Sequence, residues 1–165
     1  MITVERVTVD EFKAVLPLLQ RFFEEEGFDI PEVQVRGQLD EMIHGSSSAV
    51  FLARVGDRPV GVATVTTSGG IEFGLSAELE DLYVLPEARG TGVGSALIET
   101  AKDWCISRGC SLIAVMVTPE GQAAHGLVEY YLGRGFRESG RTLLFARLQP
   151  GNAIPTGDWE ETETE

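Results

Sequence analysis

The segment Leu82-Tyr83-Val84-Leu85-Pro86-Glu87-Ala88-Arg89-Gly90-Thr91-Gly92-Val93-Gly94 constrains this chain more than any other stretch. An apolar strand ends, a glycine-rich turn follows, and an amphipathic helix begins. Glycines allow successive backbone N–H groups to point into one concavity, and a helix N-terminus adds positive partial charge. That geometry suits a diphosphate, and Arg89 offers it a charge-assisted partner. Two glycine motifs are excluded. A dinucleotide fingerprint reads G-x-G-x-x-G, but Gly92-x-Gly94 is followed by Leu97 at the third position. A P-loop closes on Gly-Lys-Ser/Thr, and that triplet does not occur here.

Hydrophobic spacing predicts the elements around this turn. Residues 2–7 alternate as a strand. Phe12, Val15, Leu16, Leu19, Phe22 and Phe23 mark one face of a helix, with a kink expected at Pro17 and a stop at Gly27. A second helix starts at Pro31 and buries Val35, Leu39, Met42 and Ile43. Strands at 49–55 and 59–67 form a hairpin about Gly56-Asp57-Arg58, with a loop at 67–70. A strand at 79–85, a helix at 93–108, and a wholly apolar strand at 112–117 covered on both faces come next. A helix at 121–132 and two strands at 135–139 and 142–148 complete the pattern. The order is β-α-α-β-β-β-α-β-α-β-β, an α/β chain with one mixed sheet and helices on both faces. Residues 1–149 read as one domain, and residues 150–165 as an acidic tail whose only large apolar anchors are Ile154 and Trp159.

Charge narrows the partner. Of 165 residues, 26 are acidic and 13 basic, a net charge of −13. The excess sits at the ends: −6 over residues 1–45, −2 over 46–149 and −5 over 150–165. Nucleic acid needs a basic face and is not expected. A cationic ligand is, because an acidic cleft concentrates cations. The longest central apolar run, Leu112 to Val117, is far too short for a bilayer, and the first residues lack a secretory leader's pattern. Cys105 and Cys110 have no partners at metal-ligand spacing, so no metal and a reduced, cytoplasmic setting are expected.

Arg89-x-x-Gly92-x-Gly94 matches the Q/R-x-x-G-x-G/A signature of the GNAT superfamily of acetyl-CoA-dependent N-acetyltransferases. Residues 82–87 resemble that family's fourth strand, and Tyr130-Tyr131-Leu132-Gly133-Arg134-Gly135-Phe136 resembles its aromatic-Tyr-x-x-x-Gly-Phe element. The order of elements also fits from Ile2 to Leu148. The resemblance implies that Arg89, Gly90, Thr91, Gly92, Val93 and Gly94 cradle the coenzyme A pyrophosphate. Leu82, Tyr83 and Val84 would then run beside the pantetheine, and Tyr131 would face the departing sulfur. One departure stands out: Ala124 occupies the place where many relatives carry a cofactor-touching Asn, and His125 is its neighbour.

Acetyl transfer from a thioester to an amine has its own demands. The amine must lose its proton, the oxyanion needs a donor, and the thiolate needs an acid. Glu78, Glu80 and Asp81 are candidate bases. On a regular strand Glu78 and Glu80 share a face and Asp81 takes the other, but a bulge would change that parity. Glu80 and Asp81 are the favoured pair, with the choice between them open. In the superfamily the first helices border the acceptor, which puts Glu24, Glu25, Glu26 and Asp29 there with Glu80 and Asp81. The stretch 77–84 is similar to the Glu-Leu-x-Asp-Leu-x-Val pattern of aminoglycoside 3-N-acetyltransferases. An aminoglycoside is therefore the first expected acceptor. Polyamines, basic peptide or protein amines, and a silent acyl-CoA-binding domain are the alternatives. A homodimer is a further expectation.

Overall fold

Alternating apolar residues make Ile2–Arg6 a strand, β1. After a 3-10 turn at Val9–Glu11 the chain enters α1, Phe12–Glu26, which buries Val15, Leu16, Leu18 and Leu19. Pro17 lies inside α1 on its exposed side, where water can satisfy the carbonyl that proline leaves without a donor. Gly27 ends the helix at φ 73°, a left-handed conformation that other residues resist. Helix α2, Glu32–His44, follows, burying Val35 and Leu39. The computed structural model describes residues 1–149.

Strands β2 (Ser48–Val55), β3 (Arg58–Gly70) and β4 (Gly74–Val84) form an antiparallel meander. A 3-10 turn at Pro86–Ala88 and the glycine turn lead into α3, Val93–Ser107. Strand β5 (Ile113–Val115) lies parallel to β4, and short helices α4 (Pro119–His125) and α5 (Leu127–Leu132) follow. The sheet order is β1-β2-β3-β4-β5. Helix α3 packs its Val93, Leu97, Ile98, Ala101 and Cys105 into the core, and Trp104 meets Phe51 edge-on at 6.2 Å. Phe51 is fully buried, so cutting it to Ala removes contacts worth about 3–5 kcal/mol.

Four expectations are corrected. The expected loop at 67–70 is strand: Thr67, Ser68, Gly69 and Gly70 pair with Ala77, Ser76, Leu75 and Gly74. Ladder bonds are made by backbone, so poor strand propensity did not prevent pairing. The expected helix 121–132 is broken, because Gly126 takes φ 60° and ends α4 before α5 starts. The strand expected at 112–117 pairs over only three residues and is not covered on both faces. Among the described residues no strand follows β5. Gly135 and Gly140 turn the chain at φ 90° and 71°, and 142–148 finds no neighbouring strand to stabilise it. The acidic tail and Trp159 lie outside the described residues. Cys105 is buried and Cys110 half-buried, both as free thiols. Among the described residues, no helix is long and apolar enough to cross a membrane, and no group of three or more His, Cys, Asp or Glu could hold a metal ion.

Candidate active site

Parallel pairing between β4 and β5 stops at Leu79 and Val115. Beyond it the two strands part, which leaves the β4 edge from Glu80 to Val84 facing a cavity of about 310 Å³. Glu25, Glu26, Glu80, Asp81, Arg89 and Tyr131 all line it. Leu82, Tyr83, Val84, Gly90 and Gly94 complete the expected set that reaches this cavity. Thr91, Gly92 and Val93 do not line it. The Val93 side chain is buried in the core, and the Thr91 hydroxyl donates to the Ala88 carbonyl at 2.5 Å. Glu24 and Asp29 are also outside it, exposed to solvent. Successive helical residues point about 100° apart, so α1 cannot aim all three of its glutamates one way.

A β-bulge places the carboxylates. In the β3–β4 register Val65 faces Leu79 and Thr64 faces Asp81, so Glu80 is the extra residue. Thr64 and Thr66 lie two apart on β3 and share a face. Thr64 Oγ1 donates to Asp81 Oδ2 at 2.5 Å, and Thr66 Oγ1 donates to Glu80 Oε1 at 2.6 Å. Adjacent carboxylates thereby point to one side, which a regular strand forbids. Burial pushes the Asp81 carboxyl up to about 6, with the Thr64 hydrogen bond opposing and the Glu80 charge adding. Burial and then Glu80 also raise Glu78, which stays outside the cavity lining.

Across the cavity, Glu25 ties two elements together. It accepts from Tyr83 Oη at 3.1 Å and from an Arg89 guanidinium nitrogen at 2.7 Å. Burial raises the Glu25 carboxyl, but the Arg89 and Tyr83 hydrogen bonds outweigh it and the pKa ends below its ordinary value. Arg89 Nε also donates to the Val84 carbonyl at 2.9 Å. The arginine therefore bridges the glycine turn, β4 and α1 rather than standing free over the turn.

The glycine turn fits an anionic ligand. Gly90 and Gly92 hold φ 75° and 93°. The first α3 bond runs from Ala96 N to Gly92 O at 3.0 Å, so the Val93, Gly94 and Ser95 amides have no intrahelical acceptor. A Cβ at Gly94 would run into the Tyr130 hydroxyl. Any larger residue there would have to push the Tyr130 ring end away from the start of α3.

Tyr131 is 6% exposed and stands edge-on to Tyr130 and to Phe136, each at 5.3 Å. Burial, then Tyr130, push its hydroxyl above the ordinary value, with Arg134 opposing. It therefore holds its proton throughout the physiological range. Sequence reasoning did not place Phe22 or Tyr130 in the lining, and it read His125 as a surface histidine that could stand in for the missing Asn. Phe22 was legible, one turn before Glu25 and Glu26 on the same helix. Tyr130 was legible as the other aromatic of the Tyr130-Tyr131 pair. His125 is exposed, as Ala124 is, and of the two only His125 borders the cavity.

The family model described as the acetyltransferase (GNAT) family matches residues 12–134. An uncharacterized N-acetyltransferase of Methanocaldococcus jannaschii is 28% identical over 142 residues, 82% of this chain and 61% of that protein. The chain thus spans less than two thirds of that relative. An aminoglycoside N(6')-acetyltransferase of Stenotrophomonas maltophilia is 32% identical over 113 residues, 66% of this chain and 72% of that protein. Among solved structures, an aminoglycoside N-acetyltransferase in complex with CoA superposes with a TM-score of 0.78 at 19% identity, covering 90% of this chain and 96% of that one. The aminoglycoside relative is an N(6') enzyme, not one of the 3-N branch that the β4 pattern resembles.

Proposed function

We propose a function from one premise: the chain belongs to the acetyltransferase (GNAT) family of enzymes. We infer that it acetylates a primary amine of a polycationic small molecule with acetyl-CoA, and that an aminoglycoside is the first candidate acceptor. The observation that carries this is the bulge that turns Glu80 and Asp81 together into a cavity already holding Glu25 and Glu26. Four carboxylates against Arg89 attract a cation and oppose an acidic acceptor.

The roles follow from the surroundings of each group. The free amides at the start of α3 and the Arg89 guanidinium would hold the diphosphate. The open β4 edge at Leu82, Tyr83 and Val84 would pair with the extended arm, and the cosubstrate supplies the activated acetyl group. Asp81 is the better base: raised to about 6, it is ionised at neutral pH yet basic enough to take an ammonium proton through solvent. Glu80, with Glu25 and Glu26, would hold the remaining cationic groups. Tyr131 keeps a proton available for the leaving sulfur.

Thiol release from acetyl-CoA should be measured across aminoglycosides, linear polyamines and basic peptides. The reading expects the highest kcat/KM with an aminoglycoside. Release with peptides alone would overturn the acceptor class, and no release with any amine would leave an acyl-CoA-binding domain.

A further inference from the structure

Helix α3 ends on a complete left-handed cap. Gly109 takes φ 82°. Its amide donates to the Ile106 carbonyl at 3.0 Å, and the Cys110 amide donates to the Cys105 carbonyl at 3.0 Å. These two bonds define the Schellman arrangement, which carries the residue just past the glycine back over the last turn of the helix. A side-chain contact between those two positions frequently accompanies it. Here both positions are cysteine, and they are the chain's two cysteines.

Burial divides the pair. Cys105 is 3% exposed and packed in the core, while Cys110 is half-buried. Burial, then Cys110, push the Cys105 thiol up to about 11. The influence of Cys110 on that thiol reflects how near the two sulfurs lie. Solvent reaches Cys110, so chemistry on the pair starts there. The segment that follows is fixed against β4: the Ser111 amide donates to the Leu75 carbonyl at 2.8 Å, and the Leu112 carbonyl accepts from the Ala77 amide at 2.9 Å. Neighbours held on both sides keep the thiols together, which favours bonding to each other over bonding to an outside thiol. Neither cysteine lines the acidic cavity, which α3 meets only at Gly94, about three turns away.

We propose that Cys105 and Cys110 are a redox-modification site, joined by an intramolecular disulfide when the surrounding thiol pool turns oxidising. A small disulfide such as oxidised glutathione serves as the oxidant. The Cys110 thiolate attacks one of its sulfurs, and one glutathione leaves as thiolate. Cys105 then gives its proton to solvent and attacks Cys110 Sγ of the mixed disulfide, releasing the second glutathione. Two cysteine thiols are oxidised and one glutathione disulfide is reduced to two thiols. The bond fastens the last turn of α3 to the segment that enters β5. It also restricts the unfolded chain, so the oxidised form resists heat better. In a reducing pool the pair remains as thiols packed within the cap. None of this depends on the transferase reading.

The folded full chain is incubated in buffers stepping from reduced to oxidised glutathione, then denatured with N-ethylmaleimide and weighed by mass spectrometry. The expected product is two hydrogens lighter, takes up no maleimide and reverts with dithiothreitol. Its Tm should exceed that of the reduced protein by about 3–6 °C, from closure of so short a loop. Cys110→Ser should leave Cys105 free to take one maleimide at every glutathione ratio. A protein that takes up maleimide at both cysteines in the oxidising buffer overturns the proposal, because the contact is then packing only. Glutathione or a second chain bound at Cys110 in place of the internal bond overturns it too. So does an oxidised form with an unchanged or lower Tm, since the bond would then strain the cap. If Cys110→Ser does not fold, the masses and Tm of the unaltered protein decide alone.

Discussion

Replacing Asp81 by Asn should make the protein more stable and less active. Asp81 titrates near 6 in the fold against 3.8 for the ordinary carboxyl. Between those values the folded chain binds more protons than the unfolded one, so stability falls as pH rises through the interval. Just over two pKa units at about 1.4 kcal/mol each is about 3 kcal/mol lost by pH 7. Asp81 keeps part of its surface toward the cavity, and solvent there brings the figure to about 1–3 kcal/mol. Asn has nearly the same shape, still accepts from Thr64 Oγ1, and does not ionise. At pH 7 the variant should gain that 1–3 kcal/mol, which for a chain of this size raises Tm by roughly 3–10 °C. Near pH 4 most of the gain should be gone, because Asp81 is then protonated in the fold and ionised in only about half of the unfolded chains. Turnover should move the other way, falling about 10²-fold or more with the loss of a general base. Thermal unfolding at pH 7 and pH 4, with kcat at pH 7, checks both halves. Equal or lower stability at pH 7, or a gain that is as large at pH 4 as at pH 7, would falsify the account of a buried, ionised Asp81.

The unaltered enzyme should show kcat/KM rising with pH through about 6, and the Asn variant should lack that limb. Tyr131→Phe removes one hydroxyl without changing the ring contacts, and should cut kcat about 10²-fold with little change in Tm. Glu25→Gln should separate the two substrates: the amine KM rises about tenfold as a charged partner is lost, while acetyl-CoA binds as well or up to about fivefold better, because Arg89 no longer leaves an exposed ion pair. Equal shifts in both constants would disprove that division. Gly94→Ala pushes the Tyr130 hydroxyl aside and should raise the acetyl-CoA constant more than the amine constant, read from initial rates.

What could be read from residue order alone was whatever rests on local chemistry. The glycine turn, the stripe of Val93, Leu97, Ala101 and Cys105 on α3, the helix stop at Gly27 and the pairing of β2 with β3 depend on neighbours within a few positions. The Arg89-x-x-Gly92-x-Gly94 spacing belongs with them, because a turn and a helix start are local events. Tertiary contact decided the rest. That Glu80 and Asp81 face one way depends on Thr64 and Thr66, which are supplied by another strand. That Glu25 reaches Arg89 while Glu24 and Asp29 do not depends on how α1 lies against β4. The strands expected at 135–139 and 142–148 have the right alternation and still do not form within the chain. A strand is stabilised by the edge it meets and the faces that cover it, and residue order does not say where in the fold those lie.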